Sequence, residues 1–146
     1  METYLISILP LYAHRILTGK KKMELRRYFG LKPGSGSIFV IYASGGTRAI
    51  VGEFKAGEVY VGKPEEIARI ALSGGTGVFK SDLKYIRGSK VAIGIEIKEV
   101  KVYKRPVKLE ELRRIFPGFQ PPLSFRRIDE NEPLYVLLLE RLRAQG

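Results

Sequence analysis

SILPLYAHRILTGKKKMELRR, residues 7–27, changes its hydrophobic period twice, and those changes set the fold expected of the chain. The stretch completes TYLISIL (residues 3–9), where Tyr4, Ile6 and Ile8 alternate with Leu5, Ser7 and Leu9, a strand apolar on both faces. Pro10 suits a first helical position, Leu11, Ile16 and Leu17 make a short apolar face, and Gly19 can stop the helix. The chain then reads as extended, which puts Lys22, Glu24 and Arg26 on one face. Residues 17–29 hold five basic side chains and one carboxylate, so Glu24 is the residue to explain. It is either a salt bridge that pins a loop or the fixed centre of a binding pocket.

Two β-rich segments follow, GSGSIFVIYAS and RAIVGEFKAGEVYVG, separated by GGT and expected to pair as a hairpin. In the second, Ile50 and Phe54 give way to Val59 and Val61, a phase change near Gly57 that predicts a β-bulge. KPEEIARIALSGG reads as a helix opened by Pro64 and ended by Gly74, with Ile67, Ile70 and Ala71 inward, and KSDLKYIRG as a shorter one. KVAIGIEIKEVKVYKRP is the clearest strand: Val91, Ile93, Ile95 and Ile97 share a face, while Val100 and Val102 run out of phase, placing a second bulge near Lys98 and Glu99. VKLEELRRIFPG is helical with Leu109, Leu112 and Phe116 inward. FQPPLSFRRI is extended, and EPLYVLLLERLRA closes the chain as a helix through Leu134, Leu138 and Leu142. Five or six bent strands with peripheral helices predict a small, partly open β-barrel of α+β class, with strand order left undetermined. Ile6, Ile8, Val40, Phe54, Val91, Ile93 and Ile95 are expected in one barrel core.

The 146 residues fit one domain, 1–146. Twenty-six basic against fifteen acidic residues leave a net charge of +11, which favours polyanionic partners. The absence of cysteine excludes disulfides, thiolate metal sites and cysteine nucleophiles. METYLISILP does not read as a signal peptide, and no apolar run approaches the roughly 20 residues of a membrane span. A cytoplasmic setting and a monomer are the default expectations. Amides are confined to Gln120, Asn131 and Gln145, and with abundant Lys, Arg, Glu and Ile this suits a thermophile.

The 7–27 stretch closely resembles the opening of ASCH domains, members of the PUA-like superfamily: a strand, a short helix, then G-x-K-x-x-E-x-R, here Gly19, Lys21, Glu24 and Arg26. IFVIYASGGTRAIVGEF, with its Y-A-S and V-G-E, is similar to the next hairpin of that family. KVAIGIEIKEVKVYKRPVKLEELR and PPLSFRRI resemble later parts of archaeal members. The resemblance implies a PUA-like α+β barrel with a pocket between barrel and first helix. It also implies a nucleic-acid partner, RNA favoured over DNA, bound by a groove of Lys20, Lys21, Lys22, Glu24, Arg26 and Arg27. Tyr42 and Ser44 are lining candidates on the same ground.

With that resemblance, the pocket reading of Glu24 is favoured: its carboxylate would accept from an exocyclic amine of a base while cations hold phosphate. In PPLSFRRI, Phe125 either stacks on a base with Arg126 and Arg127 on phosphates, or packs inward and leaves only the arginines exposed. An alternative is a hydrolase acting on nucleic acid or a modified nucleoside, with Lys21, Glu24 and Glu53 at its centre. The N4-acetylcytidine amidohydrolases of the family use a threonine nucleophile in this loop. Here Lys22, Met23 and Glu24 follow Lys21, and the hydroxyl is missing. A third reading is a coactivator-type module that meets an acidic protein partner. No cofactor or metal is expected: His14 is the single histidine, and GSGS, SGGT and SGGTG lack the order of a phosphate-binding loop.

Overall fold

The computed structural model describes residues 1–144. The chain lays down β1 (Thr3–Ile8), α1 (Pro10–Leu17), β2 (Met23–Arg27), β3 (Ile38–Ala43), β4 (Ala49–Gly62) and α2 (Pro64–Ala71). A 3-10 helix (Lys80–Tyr85), β5 (Ala92–Lys108), α3 (Leu109–Ile115), β6 (Phe125–Ile128), a π-helical turn (Tyr135–Leu139) and α4 (Glu140–Arg143) follow. The strands form one sheet in the order β2-β5-β4-β3-β1-β6, curled into a half-barrel of α+β class. Only β1 and β3 run parallel, Ile6 opposite Ile41 and Ile8 opposite Ala43, so α1 and β2 form the crossover between them.

The curl comes from the long β4–β5 pair. Its register shifts between Ala56 and Val59, where Gly57 and Glu58 bulge, and again between Glu53 and Lys55, opposite Glu99 at φ 39°. Both positions are those marked by the phase changes in the sequence. At the first, a Cβ on Gly57 would lie 2.2 Å from Glu96 Oε1, which accepts the Glu58 N–H at 3.3 Å. A third register shift lies between Ile50 and Gly52. Each such irregularity adds local twist, and together they bend the ribbon across the core.

The core divides by strand parity. On the concave side Tyr4 stacks on Phe39 (centroids 5.0 Å), Phe39 on Phe54 (5.1 Å), and Phe125 meets Tyr4 edge-on, with Ile6, Ile8, Ile93 and Ile95 around them. On the convex side Leu5, Val40 and Ile50 are covered by Leu112 of α3 and by Leu134, Leu138 and Leu142. A third cluster packs Ile67 and Ala71 of α2 against Met23 and Leu25. The expected single core is therefore corrected: Val40 belongs to the convex cluster, and Val91, one residue before β5, is 37% exposed. In α1 the buried residues are Ala13 and Ile16, whereas Leu11 faces outward. Among the described residues no helix is long and apolar enough to cross a membrane.

Candidate functional site

Because β1 and β3 are parallel, they end side by side at Ile8 and Ala43, and the chain leaves both at the same edge. A cleft of about 840 Å³ opens there. Its walls come from the β1–α1 junction with Tyr12, from Lys21 and residues 24–27 with Phe29, and from Tyr42, Ser44, Gly45 and Arg48 around the β3–β4 turn. Asp82 and Tyr85 of the 3-10 helix and residues 121–124 before β6 complete it.

Glu24 lies on the floor, 4% exposed. Lys21 Nζ donates to its Oε1, and Arg26 donates to Oε2 through Nε at 2.8 Å, with Nη2 in ion-pair contact with the same oxygen at 2.7 Å. Arg26 Nη2 also donates to the Ser7 carbonyl at 2.7 Å and Nη1 to Ser124 Oγ at 3.4 Å, so one arginine ties β2 to β1 and to the 121–124 segment. Burial pushes the Glu24 carboxyl up, but Lys21 and Arg26, through charge and hydrogen bonds, hold it below the ordinary carboxylate range. The buried triad is two cations and one anion, a net positive charge in a poorly hydrated place.

The cation paired with Glu24 on this side is Lys21, not Lys22 as simple alternation predicts. β2 begins only at Met23. Before it, the Lys22 N–H donates to the Thr76 carbonyl at 2.6 Å and the Lys22 carbonyl accepts from Ile97, leaving the Lys22 side chain exposed. The 76–78 loop holds this bend from outside, and Arg15 Nη2 donates to the Gly77 carbonyl.

One wall is aromatic and charge-balanced. Tyr12 packs edge-on against Tyr85 with centroids 5.6 Å apart, and the Tyr85 hydroxyl donates to Tyr12 Oη at 3.3 Å. That hydrogen bond, then burial, pushes the Tyr12 phenol up, so it stays protonated at neutral pH. Lys21 Nζ sits 5.1 Å from the Tyr12 ring centroid. Arg15 pairs with Asp82 at 3.8 Å and lies 4.5 Å from the Phe79 ring centroid.

Of the residues singled out in the sequence, Lys21, Glu24, Arg26, Arg27, Tyr42 and Ser44 line the cleft. Lys20 and Lys22 are exposed outside its lining, as is His14 on α1. Phe125 is buried among Tyr4, Phe39 and Phe29, so it packs inward and is not presented to a base. Arg126 pairs with Glu132 at 3.0 Å and Arg127 with Glu2 at 3.5 Å, away from the cleft. Glu53 is also elsewhere: its neighbour Phe54 faces the concave core, so Glu53 faces the convex side. There it accepts from the Tyr103 hydroxyl at 2.6 Å and pairs with Arg143 at 3.3 Å. Tyr12, Tyr85, Asp82, Arg48 and Ser7 are cleft residues that the sequence did not single out. Tyr12 alone left a signal, three positions before Arg15 on one helix face. Among the described residues no group of three or more His, Asp or Glu is placed to hold a metal ion.

No family model matches the chain. It is 28% identical over 137 residues, 90% of this chain and 89% of the other, to an ASCH domain-containing ribonuclease of Zymomonas mobilis. Among solved structures, ASCH from Zymomonas mobilis superposes with a TM-score of 0.78 at 24% identity, covering 94% of both chains. A point mutant of that protein gives 0.81 at 22% identity, over 97% of this chain and 99% of the other. The N-terminal domain of McrB from Staphylothermus marinus is more distant, at 0.53 and 16% identity over 99% and 94%. Together with the strand–helix opening and its Gly19, Lys21, Glu24 and Arg26, these likenesses assign the chain an ASCH-domain, PUA-like α+β fold.

Proposed function

We propose that the cleft binds RNA in single-stranded form, with a phosphate drawn to the Lys21–Glu24–Arg26 floor and a base against the aromatic wall. The observation that carries this reading is the buried triad. Its net positive charge sits in a mostly apolar cleft, where an anion gains more from it than in open water. Tyr85 and Phe29, 36% and 53% exposed, offer faces on which a base stacks without sequence selectivity. Both oxygens of Glu24 already accept from cations, so its part is to fix Lys21 and Arg26 in place. The net charge of +11 supplies the long-range field, with Lys20 and Lys22 as exposed contributors.

Affinity for a short single-stranded RNA is then expected to fall steeply with salt, by about 0.7 in log–log slope for each phosphate neutralised. Lys20→Ala with Lys22→Ala should flatten that slope. Tyr85→Ala, a rim substitution, should weaken binding by about 1–3 kcal/mol at fixed salt, the worth of one stacked base. Fluorescence anisotropy measures all of these. Affinity unchanged by salt and by Tyr85→Ala would contradict the reading.

A second reading, RNA cleavage, is favoured by one specific observation, the 28% identity to a protein described as a ribonuclease. In that case the Lys21 ammonium would neutralise charge building on the attacked phosphate. Glu24, ionised and doubly paired, is a poor proton acceptor, and Glu53 lies outside the cleft. Incubation of a labelled single strand with wild type and Lys21→Met decides it: cleavage lost in the variant supports this reading, and an intact strand with wild type removes it.

A further inference from the structure

Arg48 is the anomaly of the cleft. Its φ of 51° is in the left-handed region, where glycine or asparagine sits without strain and an arginine does not. The turn that carries it already contains Gly45 and Gly46. Two contacts hold the strained conformation: the Leu109 N–H at the start of α3 donates to the Arg48 carbonyl at 2.8 Å, and the next residue, Ala49, pairs with Lys108. The turn is thus fixed from below, and Arg48, exposed to solvent, lines the cleft.

Its guanidinium is also free. Arg15 has Asp82, Arg26 has Glu24, and Arg27 donates to the Arg87 carbonyl at 2.9 Å, but Arg48 has no side-chain partner among the described residues. A planar cation with all five N–H groups available, held on a strained turn, suits a phosphate. It belongs to the β3–β4 turn, whereas the buried triad belongs to β2 and the bend before it, so positive charge enters the cleft from two separate segments.

Resting on the RNA reading above, we propose that Arg48 holds the phosphate next to the one drawn to the triad. The site then takes a nucleotide inside a strand in preference to a free mononucleotide. Arg48 is a specificity-determining contact that selects oligonucleotides over monomers.

The test uses the full chain with Arg48→Gly and Arg48→Asn, two residues that tolerate the observed φ, so the fold is kept. Binding of a six-nucleotide single-stranded RNA and of a nucleoside monophosphate is measured across a salt series, alongside Tm. The expected result is an unlowered Tm, oligonucleotide affinity down about tenfold, a salt slope shallower by about 0.7, and unchanged affinity for the monophosphate. Oligonucleotide affinity and slope equal to wild type would overturn the inference. So would equal losses on oligonucleotide and monophosphate, which indicate a merely structural role. Wild type that binds no oligonucleotide overturns the RNA reading and this one together, whereas wild-type binding that ignores Arg48 overturns this one alone.

Discussion

Glu24→Gln is expected to destabilise the protein by about 3–5 kcal/mol at neutral pH, the usual cost of removing one partner from a buried ionic group. Glu24 is 4% exposed and serves two cations at once. Gln keeps one acceptor oxygen but turns an NH2 toward Lys21 or Arg26, leaving two buried positive charges uncompensated. The effect has a pH signature. Since the folded-state pKa is depressed, the unfolded chain binds a proton first as pH falls, and stability declines with it. The contribution of Glu24 is whole above the unfolded value of about 4.3 and is lost as pH drops through the lower folded value. Urea unfolding of wild type and variant from pH 7 downward should show their difference narrowing below about pH 4. A difference under 1 kcal/mol at pH 7, or one that does not depend on pH, would mean that the triad contributes little.

Gly77→Ala is expected to be nearly as damaging, about 2–5 kcal/mol, although residue 77 belongs to a loop. A Cβ there would lie 1.8 Å from the Lys20 carbonyl oxygen, and a backbone atom cannot rotate away as a side-chain tip can. At φ 71° alanine is also strained where glycine is not. To relieve the clash, the 76–78 loop must lift from the bend before β2, loosening the Lys22 N–H bond to Thr76 and the Arg15 bond to Gly77. Lys21 is set by that bend, so ligand affinity should fall along with Tm. Gly88→Ala is the control: its φ of 81° is similarly left-handed, but a Cβ there meets nothing within 4 Å. Thermal unfolding of the two variants separates close approach from backbone strain. Equal losses would assign the whole effect to φ.

Local periodicity carried the elements well. The slip near Gly57 and the one at Lys98–Glu99 appear in the sequence because a bulge shifts side-chain parity, and parity is visible in an apolar strand. Sheet order was not visible, since β1 pairs with β3 and β6 through contacts that no local pattern encodes. Parity also misled. Extending strand alternation back to Lys22 assumed that β2 began earlier than it does, whereas the bend held by Thr76 turns Lys21 inward instead. Glu53 matched a V-G-E motif by position, yet it sits next to core-facing Phe54 and so points to the other side of the sheet. Tyr85, Asp82 and Arg48 reach the cleft from segments that share no pattern with the 19–26 motif, and only the folded chain brings them beside it.

The placement of RNA on the protein is the central claim, and amide chemical-shift mapping of a short single-stranded RNA tests it most directly. Titrated at low salt, the RNA should perturb residues 7–9, Tyr12, Lys21, residues 24–27, Phe29, Arg48, Tyr85 and Ser124, all at the cleft. Residues 126–132, with the exposed Arg127, should stay still. Shifts confined to Arg126 and Arg127, with residues 21–29 unmoved, would contradict the account.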